Sequence, residues 1–277
     1  MKEFNGKAIY KPKGKAGEYA EWACNFYVGC SNGCTYCYCK KGILAKVMGQ
    51  GEAQLKKCFK DEEHALEVFE KELLRNKEAL QKHGLFFSFT TDPFLDLTMD
   101  LTLFAMKKCL DNEISVKILT KNAENPLFAL VGCFGIMMIG GVMPYYFSEH
   151  RNMIAIGFTL TGHDELEPNA STNQERIEAM KKLHEAGYKT FASIEPIVDF
   201  DSSLKMIRQT VDFCDLHKIG FMSGQKYDRE ELVAFMAKVH QAGCNKIYWK
   251  DSIRDFAQRA NQYPSNCVER DYNLFND

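Results

Sequence analysis

The run Cys30-Ser31-Asn32-Gly33-Cys34-Thr35-Tyr36-Cys37 places three thiols at spacings of four and three residues. From a single loop these thiols can converge on one small inorganic core. Gly29 and Gly33 let the backbone fold tightly around it. Thiolates suit both iron–sulfur clusters and zinc. A structural zinc site wants a fourth ligand, typically from a second close pair. Cys24 and Cys39 lie nearby, but no second C-x-x-C follows and Cys58 stands apart. Three ligands on a cubane cluster leave one iron open, and an open metal position is a catalytic feature. A zinc-binding scaffold protein using Cys24, Cys30, Cys34, Cys37 and Cys39 is the remote alternative. No other tight group of cysteines exists, so one cluster is expected.

Such a loop needs a scaffold, and the chain alternates strand and helix patterns. Runs rich in Phe, Ile, Val and Tyr predict strands at 25–29, 85–91, 115–120, 153–160, 189–195, 218–222 and 246–249. Between them, Leu66, Phe69, Leu73 and Leu80 share one face of a helix over 61–83, with Asp61 as its cap and Gly84 as its stop. Thr172 with Glu175 has capping-box spacing, and Gly187 ends that helix. Asp228 and Glu231 repeat the device, with Gly243 closing. This alternation predicts a parallel sheet of βα units. Nearly every strand runs into polar residues at its C-terminal end, among them Thr90, Thr91 and Asp92, then Lys121, Thr159 and Thr161, His163, Glu195 and Lys250. In a parallel barrel these ends gather at one face, where such folds hold their sites.

The 277 residues are 45% hydrophobic and 26% charged, with a net charge of −2, which excludes a uniformly basic nucleic-acid coat. The charge is uneven. Residues 1–60 hold 11 Lys, no Arg and 4 Glu, so this cysteine-rich end carries +7. That is a modest sign of an anionic ligand. Met1-Lys2-Glu3-Phe4 opens without an apolar run, and eleven cysteines fit a reducing compartment, so a cytoplasmic location is expected. Residues 127–147 carry no charge, but glycines and Pro144 interrupt them. A buried or interface segment is expected there, with no membrane span. The organisation expected is a basic extension over 1–20, the barrel over 21–225 and a C-terminal βα extension over 226–277 on the same domain.

The C-x3-C-x2-C spacing, with Tyr36 just before the last cysteine, resembles the radical S-adenosylmethionine (radical SAM) superfamily. The resemblance implies an α/β fold, a partial (β/α)6 barrel open on one side. It implies a [4Fe-4S] cluster held by Cys30, Cys34 and Cys37, and S-adenosylmethionine as second cofactor. Reductive cleavage to methionine and a 5′-deoxyadenosyl radical, which takes hydrogen from a substrate, would follow. A reductant such as a flavodoxin or ferredoxin is implied as partner. Tyr36 would contact adenine through its backbone.

A wider pattern is similar to the spore photoproduct lyase-like branch, also called DNA repair photolyase-like. It comprises Asn25-Phe26-Tyr27-Val28-Gly29, Phe89-Thr90-Thr91-Asp92-Pro93-Phe94, Leu119-Thr120-Lys121-Asn122, Gly157-Phe158-Thr159-Leu160-Thr161, and Ile194-Glu195-Pro196-Ile197. By this resemblance Ser88, Thr90, Thr91 and Asp92 would hold the methionine amino group. Lys121 would reach its carboxylate, and Thr159 and Thr161 would contact the ribose. Glu195 would bind substrate or ribose, or pair with Lys121. Cys39 is a candidate redox-active neighbour of the cluster. The branch's true lyases carry a cysteine on the second strand, whereas this stretch reads Phe87-Ser88-Phe89-Thr90-Thr91. Thymine-dimer repair by that route is therefore not expected. Two substrate classes stay open. Lys11, Lys13 and Lys15 with Tyr10 and Tyr19 form a basic, aromatic rim suited to nucleic acid or nucleotide. The overall acidity and the lack of a nucleic-acid module suit a peptide, protein or small metabolite.

Overall fold

The computed structural model describes residues 4–42, 45–48, 51–132, 144–257 and 265–276. In chain order the strands are β1 (Ile9–Tyr10), β2 (Ala23–Cys24), β3 (Tyr27–Val28), β4 (Gln54–Leu55), β5 (Leu85–Phe87), β6 (Val116–Thr120), β7 (Ile154–Thr159), β8 (Lys189–Ile197), β9 (Leu216–Phe221) and β10 (Ile247–Trp249). The α-helices are α1 (Ala45–Met48), α2 (Glu62–Arg75), α3 (Lys77–His83), α4 (Met99–Leu110), α5 (Glu124–Leu130), α6 (Pro144–Glu149), α7 (Asn173–Glu185), α8 (Phe200–Thr210), α9 (Arg229–Gln241) and α10 (Asp251–Ala257).

The main sheet runs β1-β2-β5-β6-β7-β8-β9-β10 among the described residues. From β2 to β10 every pairing is parallel, and β1 adds to β2 antiparallel. The two edge strands do not pair with each other, so the barrel is partial and open. Curvature follows from the packing. Ala23 of β2, Phe86 of β5, Phe191 of β8, Leu216 of β9 and Tyr248 of β10 share one apolar cluster. Only a sheet curled on itself brings side chains from both margins together. Leu274 and Tyr272 join that cluster from the C-terminal segment and fill the barrel's lower end. On β7, Gly157 pairs with Phe191 on β8. A Cβ at Gly157 would lie 2.2 Å from the Phe191 ring, so only glycine admits that ring into the barrel. The outer face is the larger core. Phe69, Leu73, Met106, Met180, Leu183 and Ile207 come from the helices to cover Val116, Ile118, Ile156 and Ile194. Each such side chain, fully buried, stabilises by about 1.5–3 kcal/mol.

The helix signals hold. Asp61 accepts the His64 amide, Thr172 and Glu175 form a complete capping box, and Asp228 accepts the amides of Glu230 and Glu231. The predicted helix over 61–83 is broken at Asn76. The Asn76 side chain exchanges hydrogen bonds with the Phe4 backbone in both directions, at 2.9 and 3.0 Å, and so ties down the N-terminal segment.

The first strand differs more. Residues 25–29 were expected to open the sheet, but Ala23–Cys24 do so, and Tyr27–Val28 pair instead with Gln54–Leu55. Asn25 makes the switch. Its amide accepts the Phe89 N–H at 2.8 Å and donates to the Tyr10 hydroxyl at 2.6 Å, pulling the chain off the sheet. Likewise the expected strand over 85–91 ends at Phe87. Beyond it the Ser88 hydroxyl bonds the Thr91 carbonyl at 2.7 Å, and the Thr90 hydroxyl bonds the Tyr27 carbonyl at 2.5 Å. Of the uncharged 127–147 stretch, residues 133–143 lie outside the described residues. No described helix is long and apolar enough to cross a membrane.

Candidate active site

One cavity of about 440 Å³ opens at the C-terminal ends of the parallel strands. Its wall carries Cys30, Cys34, Cys37 and Cys39 from the loop after β3. It also carries Tyr36, with Ser88, Thr90, Thr91 and Asp92 after β5, Lys121 after β6, Thr159 at the end of β7, and Glu195 on β8. Of the predicted residues, Thr161 alone does not line it. Thr161 is fully buried and ordered into the turn before α7. Its N–H goes to Asn173 at 3.0 Å, and its hydroxyl accepts the His163 N–H at 3.2 Å. A ribose contact from Thr161 is therefore not supported. The Thr159 hydroxyl carries no hydrogen bond among the described residues and faces the same cavity.

Asp92 is spent on structure. Its two oxygens accept from the Asn32 side chain (2.8 Å), the Lys121 N–H (2.8 Å), the Thr120 hydroxyl (2.6 Å) and the Phe94 N–H (3.0 Å). A buried carboxylate with four donors is satisfied. It fastens the cysteine loop to the end of β6, so a direct role in holding an amino group is not what its geometry shows. The Thr91 hydroxyl differs. Its oxygen is buried and has no partner among the described residues.

A second clamp comes from the segment after β7, which sequence reasoning missed. The Thr35 N–H bonds the Leu166 carbonyl at 2.9 Å, and the Asn169 side chain bonds the Ser31 carbonyl at 2.9 Å. Between them Glu167 is buried. It accepts from the Tyr36 hydroxyl and from the fully buried Arg176 guanidinium, which also reaches the Thr159 carbonyl at 2.6 Å. The Lys121 ammonium stands 4.0 Å from Glu167 and 5.7 Å from the Tyr36 ring. Burial pulls the Lys121 pKa down, but Cys34 and Glu167 more than reverse it and leave it raised. Lys121 is thus a persistent cation. It pairs with Glu167 rather than Glu195. The only hint in sequence was a carboxylate before Pro168 on the loop beyond a strand end.

The thiols are not equivalent. Burial raises Cys30 to about 11 and raises Cys34. Cys37 is lowered to about 6, first by a hydrogen bond with Cys39 and then by Lys121 and Lys40. The same bond raises Cys39. Among the described residues no three Cys, His, Asp or Glu side chains are already drawn together as a metal cage. The donor set still fits an iron–sulfur cluster. All three thiols are free, share one wall, and stand beside a cation and an orphaned hydroxyl.

The far side of the cavity is built around Glu195. Its Oε2 accepts from Lys250 Nζ at 2.6 Å and from the Tyr19 hydroxyl at 2.8 Å. The Tyr19 hydroxyl also lies 2.6 Å from the Ser193 hydroxyl. Lys250 is 1% exposed and reaches Glu18 at 3.4 Å and the Lys15 carbonyl at 3.1 Å. Burial and Glu195 push the Tyr19 pKa well up. The Tyr19 ring has Lys250 at 4.4 Å and Lys218 at 5.1 Å from its centroid. The N-terminal segment Gly14–Ala20 is therefore a wall of the cavity.

No family model matches the chain. An uncharacterised protein of Methanocaldococcus jannaschii is 24% identical over 219 residues, 74% of this chain and 71% of that one. A solved spore photoproduct lyase variant matches with a TM-score of 0.55 at 14% identity, covering 84% of this chain and 77% of that one. Another, with dinucleoside spore photoproduct, gives 0.51 at 15% identity, covering 83% of this chain and 62% of that one. This chain thus spans less than two thirds of that lyase chain. Its parallel strands, curled into an open barrel with a three-cysteine loop over their C-terminal ends, give this chain a fold similar to that of the solved spore photoproduct lyases.

Proposed function

We propose that the chain is a radical SAM enzyme acting on a nucleic acid or nucleotide. The observation that carries the reaction class is that Cys30, Cys34 and Cys37 share one cavity with Lys121, Thr91 and Thr159. With a [4Fe-4S] cluster on the three thiolates and S-adenosylmethionine beside it, the chemistry supplied is reductive cleavage to methionine and a 5′-deoxyadenosyl radical. Lys121, held cationic by Glu167, pairs with the cofactor's carboxylate. Ser88, Thr90 and Thr91 lie in the wall that would receive the amino group, and Thr159 offers its hydroxyl to the ribose. Tyr36, pinned to Glu167 through its hydroxyl, presents its backbone to adenine. Cys39, beside Cys37 in the same wall, is the candidate redox-active thiol. A flavodoxin or ferredoxin supplies the electron.

Support for a nucleic-acid substrate comes from the rim. Lys13, Lys15 and Lys40 are exposed around the opening, and Phe89 and Tyr19 supply aromatic wall. A structure of similar fold holds a dinucleoside. The test is anaerobic. The protein is loaded with iron and sulfide, reduced with dithionite and given S-adenosylmethionine, with a DNA duplex, a single strand, a nucleotide mixture or nothing. Formation of 5′-deoxyadenosine supports the reaction class, and stimulation by one nucleic acid supports the substrate. Formation that no nucleic acid alters shifts the substrate to a peptide or metabolite. Bound zinc with no product overturns both.

A further inference from the structure

We propose that Glu195 selects the substrate by accepting a hydrogen bond from a neutral N–H on the edge of a nucleobase. This rests on reading the cavity as the reaction site and names the group recognised there. The inference follows from counting hydrogens in the cluster on the far wall. Lys250 has three, and three acceptors surround it: Glu195 at 2.6 Å, the Lys15 carbonyl at 3.1 Å and Glu18 at 3.4 Å. The single Tyr19 hydroxyl hydrogen goes to Glu195, so the Ser193 hydroxyl hydrogen is the one shared with Tyr19. Tyr19 and Ser193 are therefore committed, and Lys250 gives two hydrogens to Glu195 and the Lys15 carbonyl while its charge faces Glu18.

What remains open is an acceptor. Both donors to Glu195 fall on Oε2, and Oε1 has no hydrogen-bond partner among the described residues. It is not among the sealed, unsatisfied atoms either, so it is accessible. Glu195 lines the cavity together with Tyr19, Ser193 and Lys250. A carboxylate oxygen with only lone pairs to offer demands a donor. It repels a phosphate or carboxylate, which the exposed lysines of the rim suit instead. Tyr19 and Phe89, set edge to face with ring centroids 6.0 Å apart, form an aromatic corner beside this acceptor. The cavity thus combines an aromatic corner, an acceptor beside it and cations at its rim. A site built to accept a hydrogen bond discriminates strongly against an analogue that lacks the donor.

The same count gives an unusual variant. In Glu195→Gln the two fixed donors, Tyr19 and Lys250, capture the amide oxygen. The amide NH₂ then takes the Oε1 position and turns an acceptor into a donor. Uridine and 3-methyluridine differ at N3 alone, where a methyl group replaces the hydrogen, and are titrated calorimetrically into the cluster-loaded protein with S-adenosylmethionine present. The wild type is expected to bind uridine about tenfold tighter or more. Glu195→Gln is expected to erase or reverse that preference. Glu195→Asp keeps the charge but withdraws it by one methylene, and is expected to weaken the preference several-fold even if the glutamine variant does not fold. Equal binding of the two nucleosides to wild type, no uridine binding at all, or an unchanged preference in either folded variant overturns the proposal. Formation of 5′-deoxyadenosine by the same wild-type sample reports the reaction class independently.

Discussion

Glu195 on β8 and Lys250 just beyond β10 meet at 2.6 Å across the strand that lies between them. They can do so because that strand, β9, carries Gly220 at the crossing. A Cβ there would lie 2.7 Å from Lys250 Cδ and 2.8 Å from the Glu195 carboxyl carbon. Gly220→Ala is therefore an overpacking change inside the barrel. It is expected to cost about 1–3 kcal/mol in urea unfolding. A loss below about 0.5 kcal/mol would show that the pair is free to move aside.

The second buried pair is Glu167 with Arg176, both essentially without solvent exposure. Removing one charge of such a pair strands the other. Glu167→Gln is expected to lose about 3–5 kcal/mol in denaturant unfolding. It also frees the Tyr36 hydroxyl and loosens the cysteine loop, so amide exchange at Thr35, whose N–H bonds the neighbouring Leu166 carbonyl, should speed up. An unchanged Thr35 amide would disconnect the two segments.

Cys30→Ala is expected to abolish iron binding while preserving the helix content seen by circular dichroism. Cys30 belongs to a surface loop clamped from two sides and is outside the main hydrophobic core. Full iron content in that variant would remove the loop from the cluster assignment.

His163 gives a pH dependence. Its two ring nitrogens face Glu165 at 2.7 Å and Asp199 at 2.6 Å, which joins the segment after β7 to the N-cap of α8. Burial lowers its pKa, but the two carboxylates outweigh burial and leave it above the ordinary 6.5. A raised folded-state value means the bridge stabilises fully below about pH 6.5 and fades as pH rises through the higher folded value. The Tm difference between wild type and His163→Gln should therefore be largest at about pH 6 and shrink toward about pH 8. A difference that grows with pH would reverse the assignment.

Local signals in the sequence were read well where they act locally. Asp61, Thr172 with Glu175, and Asp228 cap the helices they precede. The cysteine spacing and the polar strand ends brought twelve of the thirteen predicted site residues to one cavity, Thr161 being the exception. What escaped was decided at long range. Nothing near Glu167 announces that Tyr36, 131 residues earlier, will bond to it. The Lys13–Tyr19 stretch reads as part of a basic extension outside the barrel, yet Glu18 is buried against Lys250, and Tyr19 bonds Glu195. Asn25 has strand-like neighbours, and only its hydrogen bonds to Tyr10 and Phe89 show why the chain leaves the sheet there. Asp92 shows the converse. Its type and position suit ligand binding, and four donors from the protein itself occupy it.

The lower end of the barrel is filled by Phe86, Phe191, Leu216 and Leu274, leaving there only a space of about 10 Å³. The cavity above it is therefore a cul-de-sac. Whatever the cavity holds therefore enters and leaves on the side away from that plug. One molecule seated against the plug excludes a second from that end until it has backed out.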